Sequence, residues 1–411
     1  MREAKCAPGS GIARDVWLRR VVERGARVLL CLALLVPSLA SAAPRIGVVT
    51  MQPGQIFWER FGHNAILVVD DVAGTQTSYN FGFFDPTEPD FIARFVRGEM
   101  RYRLAALPFE QDLAVYREEG RGVSIQWLDL PAAKAIGMAN ALAINARPEN
   151  AAYRYQYFED NCSTRVRDAL DRALDGGLRR QLQASSQGST HRSEAVRLAS
   201  PAWWMSTGFD VGLGPHADRM MSHWEEAFIP TRLAASLRNV RNAQGRPIVL
   251  AETIVLPHRI APEPVETPAP WWPWLLGGMA IAAGLLMLAR RHLRMAVAVA
   301  TPLWLVCGIA SLLMLYIWLG TAHQFGWANR NLLLLNPLAW MLLAGAWPVL
   351  RGRAVPRWMG WTALALAGCA VIAFFALVLP LQPQRNAHWV AVFLPIQCAI
   401  AWMLQPRRIS T

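Results

Sequence analysis

The chain has 411 residues, with 41 Lys and Arg against 29 Asp and Glu, a formal net charge of +12. An excess of that size suggests a nucleic-acid partner, but its distribution excludes one. Residues 44–270 hold 24 basic and 26 acidic side chains, residues 1–43 hold 7 and 3, and residues 271–411 hold 10 basic and no acidic residue, so the excess belongs to export and membrane topology.

Residues 1–42 read as a bacterial export signal. A basic leader (Arg14, Arg19, Arg20, Arg24, Arg27) precedes an apolar core from Val28 to Val36, and Ala40 and Ala42 supply the small-residue spacing of a cleavage site. The mature chain is expected to start near Ala43. Leu30 before Cys31 is too large for a lipoprotein signal. An uncleaved anchor is the alternative, with an apolar core short for a full span.

The segment 43–260 is expected to form one α+β domain of a size that buries its own core. Strands are predicted at Arg45–Met51 and Ala65–Asp70, the second a continuous apolar run suited to a buried position. Thr77–Gly82 is expected to pair with it, and Gly122–Leu130 forms another strand. Helices are predicted over Pro131–Ala146, Ser163–Leu174 and parts of Ala217–Leu237. Tyr153, Tyr155 and Tyr157 alternate as packing in a strand or approach segment. Four prolines in residues 261–270 make an extended, fairly stiff tether.

Five apolar stretches of about spanning length follow: Trp271–Ala289, Met295–Gly320, Leu332–Leu350, Trp358–Leu379 and Trp389–Leu404. Arginines 290, 291, 294, 351, 353, 357, 407 and 408 fall in alternate connections, while the other two carry only Arg330 and Arg385. The positive-inside rule puts the eight in the cytoplasm and residues 44–270 outside it. That predicts a multi-pass protein of the bacterial inner membrane, its N-terminal domain in the periplasm and residues 405–411 a cytoplasmic tail. His323, Asn329, Arg330 and Asn331 then lie in an outward loop, either solvated or reaching lipid headgroups.

Cys162 is the one cysteine of the exported segment. Cys6 and Cys31 lie in the leader, and Cys307, Cys369 and Cys398 in the apolar stretches. A lone thiol in an oxidising compartment is buried and inert, or it is used. At the start of a predicted helix it meets unpaired backbone N–H groups and the positive end of the dipole, which favour thiolate and can hold an oxyanion. His63, about a hundred residues upstream, is a candidate base, because such a pair needs only to meet in space. Arg165 and Arg167 either pair with Asp160 and Asp168 or bind a phosphate or carboxyl. Asp218 and Glu225 are expected in ion pairs or caps. No metal or other cofactor is expected, since His191, His216, His223 and His258 show no ligand spacing.

The blocks Trp58–Ala65 (WERFGHNA), Tyr79–Asp85 (YNFGFFD) and Tyr153–Asp168 (YRYQYFEDNCSTRVRD) resemble the Lnb-type periplasmic domain family, as do Leu213-Gly214 with Asp218 and Trp224–Pro230. Asn329–Leu332 and Leu335–Leu338 resemble the Lnb transmembrane module. The resemblance covers most of the mature chain. It implies lipoprotein N-acylation, in which an ester-linked acyl chain of the diacylglyceryl-cysteine moves to an α-amine and leaves a lyso lipid. The His-then-Cys order also resembles permuted papain-like thiol enzymes such as lecithin–retinol acyltransferase. That likeness implies a permuted papain-like α+β domain with Cys162 as nucleophile and His63 as base, and the five apolar stretches predict a five-helix all-α transmembrane domain after it. The orienting residue is assigned to Asn80, with Asn64 and Asp85 as competitors. Asn64, Asn161, Ser163 and Arg165 are assigned to substrate binding. The implied partner is a lipoprotein or phospholipid in the membrane. A cell-envelope peptidase or amidase would use the same two residues without needing five spans, and a non-catalytic receptor or assembly factor would tolerate Cys162→Ser.

Overall fold

The computed structural model describes residues 43–265, 270–379 and 384–405. The leader expected over 1–42, residues 266–269 of the tether and the tail beyond Gln405 lie outside these residues. Seven strands form one antiparallel sheet: β1 (Arg45–Met51), β2 (His63–Asp70), β3 (Thr75–Phe83), β4 (Arg101–Pro108), β5 (Val123–Leu128), β6 (Ala152–Arg154) and β7 (Val249–Leu256). Their order is β6-β4-β3-β2-β1-β5-β7.

β2 lies between β1 and β3 near the middle of the sheet, and its interior residues are buried throughout. Ala65, Leu67 and Val69 pack into one layer with Phe109 and Leu113 of helix α2 (Phe109–Glu119). Ile66 and Val68 pack into the other with Val166 and Leu170 of helix α4 (Cys162–Ala173) and Met138 and Leu142 of α3 (Ala132–Asn145). Cover on both faces is why this strand reads as an unbroken apolar run. The predicted pairing with β3 is present, with Ala65 opposite Asn80. β4 and β7 were not expected, whereas β6 falls at the start of the tyrosine segment read as a strand or approach segment. β7 is an edge strand with five consecutive exposed residues, so it carries no alternating burial pattern to read.

Among the described residues, the C-terminal region holds three helices long and apolar enough to cross a membrane and two shorter apolar ones. The long ones are Trp272–Arg291, Leu293–Gly320 and Arg357–Val378, and the shorter are Ala339–Leu350 and Ala387–Met403. The stretch expected as a helix from Leu332 begins only at Ala339. Pro337 precedes it, and Asn336 Oδ1 accepts from Leu338 N at 3.0 Å, so a polar cap and a residue lacking an N–H set the start there.

The two regions are joined by hydrogen bonds as well as by the tether. Helix α5 (His191–Ala199) supplies Arg192, whose guanidinium is buried against Asp218 at 2.9 Å. It also donates to the carbonyls of Leu213 at 2.7 Å and Gly214 at 3.1 Å. That shapes the end of helix α6 (Trp203–Gly212), where the Val211 carbonyl accepts from Asn329 at 2.7 Å and Asn331 at 2.9 Å. Both asparagines are buried, so this part of the loop expected to face outward is a joint and not a solvated connection. Asp210 Oδ2 meets His388 Nε2 at 2.6 Å and accepts from Trp389 Nε1 at 2.9 Å. His323 lies 3.1 Å from the Phe95 carbonyl of helix α1 (Phe91–Arg97).

Asp218→Ala would leave Arg192 buried without its counter-ion. The expected loss is about 3–5 kcal/mol, read as a lower melting temperature of the full-length protein in detergent.

Candidate active site

The site is built where β2 begins. Gly62 has φ of +75°, and a Cβ there would lie 2.8 Å from the Met51 carbonyl oxygen, so the turn into β2 requires glycine. His63 follows it as the first residue of the strand, paired with Met51. Asn64 turns to the opposite layer, as alternation demands. Its amide donates to the Val49 carbonyl at 3.1 Å and to Thr50 Oγ1 at 2.9 Å. The Ser163 hydroxyl lies 2.8 Å from Asn64 Oδ1 and 2.6 Å from the Ala227 carbonyl, with a single hydrogen to share between them. This contact carries the start of α4 to the start of β2.

α4 opens with a reciprocal cap. Asn161 Oδ1 accepts from Thr164 N at 2.9 Å, and Thr164 Oγ1 accepts from Asn161 N at 2.8 Å. The Asn161 amide donates to the carbonyls of Tyr157 and Phe228. Cys162 is then the first helical residue, and its thiol faces the His63 ring. Burial pushes the thiol pKa up. The charge of His63, its hydrogen bond, and the backbone N–H groups of Asn64 and Ser163 together outweigh burial, and the thiol ends below its ordinary value. For His63, burial lowers the pKa, but the charge and hydrogen bond of Cys162, the charge of Asp112 and the bond to Asn80 carry it above the ordinary value. Both shifts favour the charged forms of the pair, thiolate and imidazolium.

The proton positions follow from the groups behind His63. Asp112 on α2 is buried, and its Oδ2 accepts from Ser78 Oγ at 2.6 Å and from Asn80 Nδ2 at 3.0 Å. A carboxylate accepts only, so the Asn80 amide presents its NH2 to Asp112 and its Oδ1 to His63. Asn80 Oδ1 lies 3.0 Å from His63 Nε2, which must then carry a hydrogen. Nδ1 is left to exchange a proton with Cys162. Asp112 was missed in the sequence, where it sits in Phe109–Glu119 without any motif around it.

Other assigned residues fall differently. The side chains of Asn64, Asn161 and Ser163 are buried and bonded within the protein, so they position the dyad, and their free surface cannot take up substrate. Arg165 is paired with Asp160 through Nε at 2.5 Å and lies over the Tyr153 ring at 3.9 Å. Arg167 pairs with Asp168 and caps the Trp224 carbonyl. Glu225 caps the short helix at His223 through Ser222. Asp85 accepts from Thr87, while the side chain bonded to His63 Nε2 is Asn80.

An apolar rim borders this centre. The turn that leads to His63 exposes Phe57 and Trp58, the latter by 63%. Phe57 stacks on Trp204 with centroids 6.4 Å apart, and Phe61 packs against Phe209. Trp203, at the start of α6, is 77% exposed. The other end of α6 holds Asp210, bonded to the helix that contains Trp389.

Alkylation of Cys162 by iodoacetamide should follow an ionisation below the ordinary thiol range. Asp112→Asn removes a charge that raises the His63 pKa, so less imidazolium faces the thiol and the inflection should move to higher pH. His63→Ala should move it further. An unchanged profile in both variants would refute the ion pair.

Residues 38–198 match the family described as the Lnb N-terminal periplasmic domain, and residues 267–408 match the Lnb transmembrane domain. No curated protein and no solved structure matches the chain. The two matched regions follow one another in the order of the sheet domain and the apolar helices, and between them take in most of the sequence. On these matches the chain belongs to the Lnb family, with an Lnb periplasmic domain preceding an Lnb transmembrane domain.

Proposed function

We propose that this protein is a membrane-bound thiol acyltransferase that moves an acyl chain from a lipid ester to an amine through a thioester on Cys162. The observation that carries the reading is the Cys162–His63–Asn80 array at a helix start, in a domain bonded to an apolar helical region. A thiol, an imidazole and an amide in this order are the working parts of papain-like enzymes, which supports a permuted version of that arrangement here. The five apolar helices are then the spans of an inner-membrane protein, with the catalytic domain in the periplasm.

The reaction runs in two halves. The Cys162 thiolate attacks the ester carbonyl, the S–C bond forms, and the carbonyl π pair moves onto oxygen. Collapse breaks the ester C–O bond, and the leaving alkoxide takes a proton from His63 Nδ1. In the second half an amine attacks the thioester, His63 accepts its proton, the N–C bond forms, and the thiolate leaves. Asn80 keeps the hydrogen on Nε2, so proton exchange stays at Nδ1. The rim of Phe57, Trp58, Trp203 and Trp204 suits an acyl chain arriving from the bilayer, and exclusion of water there favours the amine over hydrolysis. Family membership and the membrane region together favour a diacylglyceryl lipoprotein as donor, its own N-terminal amine being the acceptor.

Mass spectrometry of lipoprotein N-termini from cells expressing the wild type should show an acyl chain moved to the amine. Cys162→Ala should abolish the shift, and His63→Ala should slow transfer by about 10²–10⁴-fold. Unaltered N-termini with the wild type, or full transfer by Cys162→Ala, would refute this function.

A further inference from the structure

Beside Cys162 lies a hydroxyl that the array above leaves unused. Tyr153 is the middle residue of β6 and pairs with Tyr102 of β4. Its Oη is buried and has no hydrogen-bond partner among the described residues. Buried hydroxyls in native folds are almost always bonded, and an unbonded one is destabilising unless something else occupies its direction. The ring is held firmly, with Phe81 edge-on at 6.4 Å and the Arg165 guanidinium, itself fixed by Asp160, above it at 3.9 Å.

Gly82 defines what faces that hydroxyl. It sits where the pairing of β3 with β4 slips between Asn80 and Phe83, and its φ is +92°. A Cβ on Gly82 would stand 3.5 Å from Cys162 Cβ and 3.8 Å from Tyr153 Oη. The missing side chain thus leaves space bounded by the nucleophile on one side and an unpartnered donor on the other. Burial, and next the charge of Cys162, push the phenol pKa far up, so the group keeps its hydrogen and acts as a donor.

We propose that Tyr153 is a catalytic residue, whose Oη donates a hydrogen bond to the oxyanion of the tetrahedral adduct on Cys162. This rests on the acyl-transfer reading and adds to it a side-chain donor. Tyr153 transfers no proton: its O–H bond persists while the S–C bond forms and while the ester C–O bond breaks, and the leaving oxygen is protonated by His63. The alternation of Tyr153, Tyr155 and Tyr157, read in the sequence as packing, then has one member with a chemical task.

The test uses a long-chain aldehyde, which adds reversibly to a thiolate and places an oxygen where the ester oxyanion would be. Its binding to the full-length protein is read as protection of Cys162 from iodoacetamide. Tyr153→Phe should weaken aldehyde binding on the order of tenfold to a hundredfold, with the alkylation rate in the absence of aldehyde kept at the wild-type value. Its melting temperature should not fall, because the deleted hydroxyl has no partner to lose. Unchanged aldehyde affinity with a reactive wild-type thiol would overturn the role of Tyr153 alone. So would an alkylation rate that falls by the same factor, which would assign the hydroxyl to the thiolate, and so would a lowered melting temperature. A wild-type thiol that neither alkylates nor binds aldehyde would overturn the acyl-transfer reading and this one with it.

Discussion

Everything in the site depends on holding the first turn of α4 against the first two residues of β2. The tie is the buried contact of Ser163 with Asn64, reinforced by the reciprocal cap of Asn161 and Thr164. None of these side chains is free to meet a substrate. Their value is that they leave the thiol and the imidazole, which come from opposite layers of the sheet, facing one another where β2 starts. Two backbone N–H groups point at the sulfur as a result of the same tie, so position and charge stabilisation have one structural cause.

A second constraint acts along the chain of acceptors and donors behind His63. The Asp112 carboxylate accepts and never donates, which orients Asn80, which in turn decides which ring nitrogen keeps its hydrogen. Ser78 closes the network by donating to the same carboxylate oxygen. Such buried polar networks are costly when one member is unsatisfied and stiff when all are bonded. Here the stiffness maintains a single tautomer of His63 beside the Cys162 thiol.

How much of this was legible in the sequence varies with the range of the interaction concerned. Cys162 and His63 stand in compact local blocks, and the lone exported cysteine drew notice from compartment alone. Asn80 lies on a strand whose pairing with β2 is readable from apolar pattern. Asp112 had no such mark, because its partners come from a strand more than thirty residues away and its own helix has a weakly patterned sequence. β7 was missed since an exposed edge has no buried alternation, and the helix at Ala339 was drawn too long since hydropathy counts Leu332 to Leu335 as span while Asn336 and Pro337 stop it. Asn64, Asn161 and Ser163 were recognised as belonging to the site, but their task, packing and capping, becomes visible only once their partners at Thr50, Phe228 and Ala227 are known.

The bonds between Val211, Asn329 and Asn331, and between Asp210, His388 and Trp389, give the proline tether a different meaning from the one its stiffness first suggests. A tether that alone set the distance between the two parts would make them separable modules. Instead, pulling the two parts apart would expose the Val211 carbonyl, the Asp210 carboxylate and two buried asparagines to water at once. The periplasmic part is in this sense an incomplete fold, finished by a loop that belongs to the membrane region. Substitutions of Asn329 or Asn331 in that loop would therefore disturb the sheet domain as well as the membrane region.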